Sequence, residues 1–169
     1  MSLHKEIVAA LNHHATVEAS SAFMYFSMAS WFDNKGLKGF ANWCRVEAQG
    51  EMGHMTRFFD YINIRGHQVQ FGTIDAPPFM WQGPLKVFEN IYNQELALTE
   101  KINELLHLAK QHADHATDSF LNTFIMEQIE DEAEAGDILA QIKMVGDNAQ
   151  GLLMISNSLA NRKAVTQDA

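Results

Sequence analysis

Gly66-His67-Gln68-Val69-Gln70-Phe71-Gly72-Thr73-Ile74-Asp75-Ala76-Pro77-Pro78-Phe79-Met80-Trp81-Gln82-Gly83 has no helical period and carries three glycines and two prolines. On either side of it apolar residues recur at gaps of three and four, the spacing of a helix face. The stretch is therefore a long connection between two helices, and long connections inside compact domains need a reason. About 17 extended residues reach more than about 50 Å, whereas a helix of about 28 residues is about 42 Å long. The connection can return along a whole bundle and leave its two flanking helices parallel, where a short link would make them antiparallel.

Upstream, a helix is predicted from about Leu37 to Arg65, with Phe40, Cys44, Phe58 and Ile62 on one face. Before it runs another, from about Leu3 to Lys35, with the stripe Ile7, Leu11, His14, Ser21, Tyr25, Met28 and Phe32. Asn34-Lys35-Gly36 reads as a C-terminal cap and short turn between them. Downstream, Pro84 suits the first turn of a third helix to about His112, with Phe88, Tyr92, Leu98, Ile102, Leu105 and Ala109 inward. After the polar break His112-Ala113-Asp114-His115, a fourth helix to about Val145 carries Phe120, Phe124, Gln128, Asp131, Ile138 and Ile142. Gly146-Asp147-Asn148 stops it, a short helix follows over about 152–162, and residues 164–169 read as a frayed tail. The expectation is an all-α chain forming a single domain over 1–169. Its four-helix bundle covers about 3–145, with one long crossover and a short C-terminal fifth helix.

Composition narrows the class. At 47% hydrophobic and 20% charged, the 169 residues can bury a core, which excludes general disorder. Cys44 is the single cysteine, so neither an internal disulfide nor a cysteine zinc cage can form. Twelve Lys+Arg against 21 Asp+Glu leave a net charge of −9, which points away from nucleic acid and toward cations as partners. No run approaches the roughly 18 apolar residues of a membrane span, and Met1-Ser2-Leu3-His4-Lys5-Glu6 lacks a signal-peptide pattern. A cytoplasmic protein with no membrane partner is expected.

The informative anomaly lies in what interrupts the apolar stripes. Glu18 falls between His14 and Tyr25, Glu51 and His54 fall between Cys44 and Phe58, and Glu95 falls between Tyr92 and Leu98. Glu127, Glu130 and Asp131 interrupt the fourth stripe. A carboxylate buried alone costs several kcal/mol or takes up a proton, and several together repel. No Arg or Lys is expected inward at those levels, so a metal must supply the positive charge. Oxygen-rich sites with one imidazole suit iron or manganese, and the i, i+3 pair Glu51/His54 lets one residue bridge two ions while the other binds one. A single inward acid is more often a misjudged face or a paired core acid. Four helices interrupted at matching depth, one of them by E-x-x-H, favour the metal.

On Glu18, Glu51-Met52-Gly53-His54, Glu95 and Glu127-Gln128-Ile129-Glu130-Asp131, with the crossover before Pro84 and the stretch Gly151-Leu152-Leu153-Met154-Ile155, the chain resembles the ferritins over nearly its whole length. Within that family it is most similar to the bacterial non-haem ferritins. The resemblance implies a ferritin-like bundle and a homo-oligomeric shell of twenty-four subunits. Such a shell oxidises Fe(II) with oxygen or peroxide at a di-iron ferroxidase centre and stores the Fe(III) mineral. It implies that Glu18 and His54 bind the first iron, that Glu51 bridges, and that Glu95 binds the second. It also implies Gln128 beside the oxygen-binding position and Tyr25 as a one-electron donor; a core tyrosine with a satisfied hydroxyl is the plainer alternative.

The departures are specific. Bacterioferritins carry a second E-x-x-H on the fourth helix, whereas Glu127 is followed at i+3 by Glu130; no haem is expected, although Met52 stands at the bacterioferritin haem-ligand position. Gly50 replaces the acid that relatives use for a third iron site together with acids of the fourth helix. Asp131 stands where relatives carry Glu, so the second iron takes Asp131 or Glu130. Thr123 replaces a tryptophan frequent in the family. Glu47 and Glu134 are either accessory iron ligands or solvated acids. Asp118 matches one channel acid of animal ferritins, but Leu121 takes the second channel position. Cys44 reads as a small core residue, and His13, His14, His107, His112 and His115 read as surface or interface residues.

Three rivals remain on sequence grounds. A soluble di-iron oxidase or manganese catalase would carry E-x-x-H on both the second and fourth helices. A DNA-protecting mini-ferritin would lack the fifth helix and often carry a basic tail, unlike residues 164–169. A non-catalytic helical assembly would bind no iron.

Overall fold

The computed structural model describes residues 3–163; the expected tail at 164–169 lies outside them. Among the described residues four helices form where the stripes predict them and a fifth near its expected place: α1 (Lys5–Asn34), α2 (Lys38–Ile64), α3 (Pro84–Gln111), α4 (His115–Val145) and α5 (Ala149–Ser158). Their starts carry the groups that satisfy free N–H donors. The His4 side chain accepts from Glu6 N, Asp114 from Thr117 N and Asn148 from Gly151 N, while Pro84 opens α3.

Ring contacts fix the topology. Near one end of the bundle Phe32 meets Phe40 (5.1 Å) and Phe88 (5.9 Å); toward the other, His14 meets Phe58 (4.7 Å). The side chains of Tyr25 and Glu95 pair between. Both α2 and α3 therefore run antiparallel to α1, and so parallel to each other, as the length of residues 66–83 requires. The crossover is stitched to α1 as it returns. Gln70 N donates to Asn12 Oδ1 (2.7 Å), Gly72 N donates to Thr16 Oγ1 (2.9 Å), and the Ser27 hydroxyl donates to the Pro78 carbonyl.

The core divides in two. One cluster gathers Tyr25, Phe32, Phe40, Trp43, Phe88 and Ile138; the other gathers Leu11, Phe58, Ile62, Ile102, Leu121 and Phe124. Cys44 is fully buried in the first, as expected, and Leu121 is buried in the second, so it lines no channel. Among the described residues no helix is long and apolar enough to cross a membrane.

Two local features differ from expectation or carry a consequence. The fifth helix starts earlier than 152 because Asn148 caps it, and it ends at Ser158 with Leu159 as its C-terminal cap rather than at 162. It docks on α2 through Ser156, whose hydroxyl oxygen accepts from both Gly39 N and Phe40 N (3.1 Å each). A Cβ at Gly39 would fall 1.5 Å from the Ser156 carbonyl oxygen, so only glycine permits this approach. Asn42 Nδ2 then holds the carbonyls of Leu159 (3.2 Å) and Arg162 (3.0 Å), which carries Arg162 to the polar face of α2. At the α3–α4 corner Ala113 has φ +51°, the left-handed region. Ala113→Gly is expected to stabilise the chain by about 1 kcal/mol, read as a higher midpoint in denaturant unfolding.

Candidate metal centre

Between the two apolar clusters lies a polar layer. Glu18 on α1, Glu51 on α2 and Glu95 and Gln128 on α3 and α4 are each no more than 4% exposed. The bundle buries them because the stripes that carry them must face inward to close the two cores.

The structure brings Glu18, Glu51 and His54 together, with one donor atom of each within 4.8 Å of the others. His54 Nδ1 stands 3.3 Å from Glu51 Oε2 and 3.8 Å from Glu18 Oε2, while its Nε2 is 3.0 Å from Glu127 Oε2. Glu51 Oε1 accepts from the Ser21 hydroxyl at 3.1 Å. Glu18 Oε1 lies 2.7 Å from His14 Nε2, but Glu18 Oε2 is buried without a hydrogen-bond partner. Glu95 stands opposite: its Oε1 accepts from the Tyr25 hydroxyl and its Oε2 from Gln128 Nε2 at 2.6 Å.

Three corrections follow. The acids of α4 do not penetrate the core as the stripe suggested. At the level of the site Gln128 is the buried polar residue of that helix, Glu127 and Asp131 are partly exposed beside it, and Glu130 is exposed. Nor is the site free of basic residues. Arg57 Nη1 donates to both oxygens of Glu127 (2.8 and 2.7 Å), its guanidinium 3.8 Å from the centre of the Phe124 ring. Arg162 pairs with Glu47 and, at 2.6 Å, with Glu134. Glu47 and Glu134 are therefore neither free ligands nor plainly solvated acids. Finally, His14 is buried against Glu18 rather than placed at the surface. The i, i+4 spacing of His14 and Glu18 was the available signal.

Electrostatics follows from this packing. Burial works against the Glu18 carboxylate, yet the His14 and His54 imidazoles beside it hold its carboxyl far below the usual range. Burial, and then the charge of Glu18, push Glu51 well above that range. Burial raises Glu95 to about 7 against the hydrogen bonds from Tyr25 and Gln128. Burial and the Glu95 charge raise Asp131 to about 7. Burial also raises Glu47 to about 7 against the pull of Arg162. Burial would lower His54, but Glu127, Glu18 and Glu51 hold it well above its ordinary value. The centre thus holds protons between carboxylates, where a divalent ion would replace them.

Beside this layer a cavity of about 440 Å³ is lined by Glu47, Gly50, Glu51, His54, Glu127, Glu130, Asp131 and Arg162. Gly50 leaves open space where another side chain would project. Trp43 backs the site: its ring is 6.0 Å from Tyr25, and its Nε1 donates to Glu134 Oε1 at 3.0 Å. Ser21, Gln94, Trp43, Arg57 and Arg162 are site residues that the sequence reading missed; Gln94 Nε2 donates to the Ser21 hydroxyl.

Known proteins share this arrangement of helices and sequence. The Ferritin-like domain family matches residues 8–145. A bacterial non-heme ferritin from Bacteroides fragilis (strain 638R) is 37% identical over 153 residues, covering 90% of this chain and 95% of the relative. One from Staphylococcus epidermidis is 36% identical over 160 residues, 95% of this chain and 96% of the relative. Among solved structures, an open-pore ferritin of the hyperthermophilic archaeon Archaeoglobus fulgidus superposes with a TM-score of 0.93 at 40% identity, over 95% of this chain and 98% of that one. A humanized archaeal ferritin reaches 0.95 at 39% identity, over 97% and 99%.

Proposed function

Because the chain belongs to the ferritin family, we propose that it stores iron, oxidising Fe(II) at a two-iron centre within each subunit and holding the Fe(III) mineral in a shell of copies of itself. The whole of 1–169 acts as one domain in this reading, in a cytoplasmic shell of twenty-four. The observation that carries the proposal is Glu18 Oε2, a buried carboxylate oxygen without a hydrogen-bond partner that faces His54 and Glu51. A cation between these three groups completes them; packing alone leaves that oxygen unsatisfied.

In this reading Fe(II) is the substrate. Glu18 and His54 seat the first ion. Glu51, set between Glu18 and Glu95, bridges to the second. Glu95 exchanges its contacts with Tyr25 and Gln128 for that second ion, and Asp131 reaches it from the cavity wall. Carboxylate charge favours the Fe(III) state, so the ligand set lowers the barrier to giving up an electron to oxygen or peroxide. Binding expels the protons held on Glu51, Glu95 and Asp131. The Tyr25 hydroxyl, already donating to Glu95, has a ready acceptor for its proton should it supply an electron. Arg57 spans Glu127, the fourth-helix acid that a third iron would need, and Gly50 adds no ligand there. The centre therefore takes two ions.

Aerobic addition of several hundred Fe(II) per shell, followed by sedimentation and electron microscopy, tests storage. Iron travelling with shells that contain electron-dense cores is expected. Iron precipitating apart from a small, iron-poor protein would overturn the reading.

A further inference from the structure

A second cluster of metal-ligating side chains lies far from the buried centre, at the end of the bundle where α1 begins and α3 turns into α4. His4, Glu6 and His112 each offer a donor atom within 4.8 Å of the others. Glu6 Oε2 is 3.0 Å from His112 Nε2 and 3.9 Å from His4 Nδ1. We propose that His4, Glu6 and His112 form a separate site for a first-row divalent transition ion of the zinc class.

The spacing suits such an ion. With bonds of about 2.0–2.2 Å, neighbouring donors around a tetrahedral zinc stand about 3.3–3.6 Å apart. The two distances to Glu6 Oε2 bracket that range. Two imidazoles and one carboxylate favour zinc, cobalt, nickel or copper over magnesium or calcium, which select oxygen donors. A shallow cavity of about 640 Å³, lined in part by Leu3, Arg65 and His115, leaves room for water to complete the coordination.

Two of the donors sit on fixed backbone. Glu6 is in the first turn of α1. His112 caps α3 at a corner tied by Asp114 N to the Ala109 carbonyl (2.9 Å), and Arg65 pins that corner to α2 through Asp114 at 2.9 Å. Asp114 is thereby engaged elsewhere and is not counted as a ligand. The third donor must move: the His4 ring stacks on His112 with centroids 3.9 Å apart and planes 21° apart. Nitrogen lone pairs of stacked rings point side by side, so His4 turns about its side-chain torsions to converge on the ion. Its side chain is 44% exposed, which leaves it space to turn. The bound ion would join the start of α1 to the α3–α4 corner, two points 106 residues apart in sequence.

Zinc calorimetry on the intact chain, on His112→Ala and on His4→Asn tests the site; asparagine keeps an N-cap acceptor for α1. Each variant is expected to bind one zinc fewer per subunit than the parent and to keep its rate of Fe(II) oxidation. Unchanged zinc stoichiometry in both variants would overturn the proposal. A second comparison uses Glu18→Ala/Glu51→Ala/Glu95→Ala, which removes the three buried carboxylate donors of the centre. One zinc per subunit is expected to remain and to vanish when His112→Ala is added. Zinc that persists after that addition, or none bound before it, would equally overturn the site. Neither result bears on iron oxidation at the buried centre.

Discussion

Glu51→Gln is expected to abolish rapid Fe(II) oxidation while making the metal-free protein harder to melt. The substitution keeps the shape of a side chain that accepts from Ser21 and faces His54, but removes its negative charge. Without that charge the proposed bridge between the two ions is lost. Loss of an outer-shell partner already weakens metal sites about 10–100-fold, so a drop of at least about 100-fold in the fast rate is expected. Stability moves the other way. In the metal-free chain Glu51 is buried beside Glu18, and that charge helps to push its carboxyl well above the usual range. Relieving this conflict should add about 1–3 kcal/mol. A single variant thus separates ligand from scaffold. Stopped-flow oxidation and calorimetry of metal-free protein measure both, and a destabilised variant that oxidises iron normally would contradict the assignment of Glu51.

Metal-free protein is expected to lose stability as pH rises from about 5 to about 8. Glu47 and Glu95 are raised from 4.5 to about 7, and Asp131 from 3.8 to about 7. A carboxyl raised on folding binds its proton more tightly in the native state. Its favourable contribution is complete below the unfolded value and is lost as pH rises through about 7. His54 is raised as well, so its contribution is likewise present below its ordinary value and lost at higher pH. Glu18 and Glu127 are lowered, so their contributions hold above the ordinary carboxylate value and fade only under acid. Between pH 5 and 8 the first group alone sets the slope. Each of these carboxyls alone accounts for about 2.5 kcal/mol over that span, or about 5–10 °C in melting temperature for a chain of this size. Zinc, which is redox-inert, should reverse the trend, because expelling protons becomes easier as pH rises. Calorimetry at pH 5.5 and 8, with chelator and then with zinc, measures this. A metal-free melting temperature higher at pH 8 would contradict the electrostatic account.

Much of this molecule is legible in its sequence because period and chain length are local properties. Residues 66–83 are too long for a turn and too rich in glycine and proline for a helix, which leaves little choice but a crossover between parallel helices. Glu18, Glu51, His54 and Glu95 are legible because each breaks an apolar stripe. The basic residues were not. Arg57 and Arg162 reach their acids from partly exposed positions by long apolar stems, which periodicity assigns to solvent. Arg162 meets Glu47 across 115 residues, and only the docking of α5 through Gly39 and Ser156 brings it there. On α4 the stripe placed Gln128 and Asp131 on one inward face, and a rotation of part of a turn buries Gln128 while leaving Asp131 and the neighbouring acids partly or fully exposed. His14 and the start of α5 are different cases, since Glu18 at i+4 and the Asn148 cap were present to be read.

A two-iron oxidation centre in the buried layer fixes how many irons each subunit oxidises in the first rapid phase. Fe(II) would be added stepwise, in air, to the iron-free parent and to Glu95→Ala. The parent is expected to oxidise two irons per subunit rapidly and the variant none, since Glu95 is the proposed ligand of the second ion. Three rapid irons would contradict the reading of Arg57 as holding Glu127 away from a third site. No rapid phase in the parent, or an undiminished one in Glu95→Ala, would contradict the centre itself.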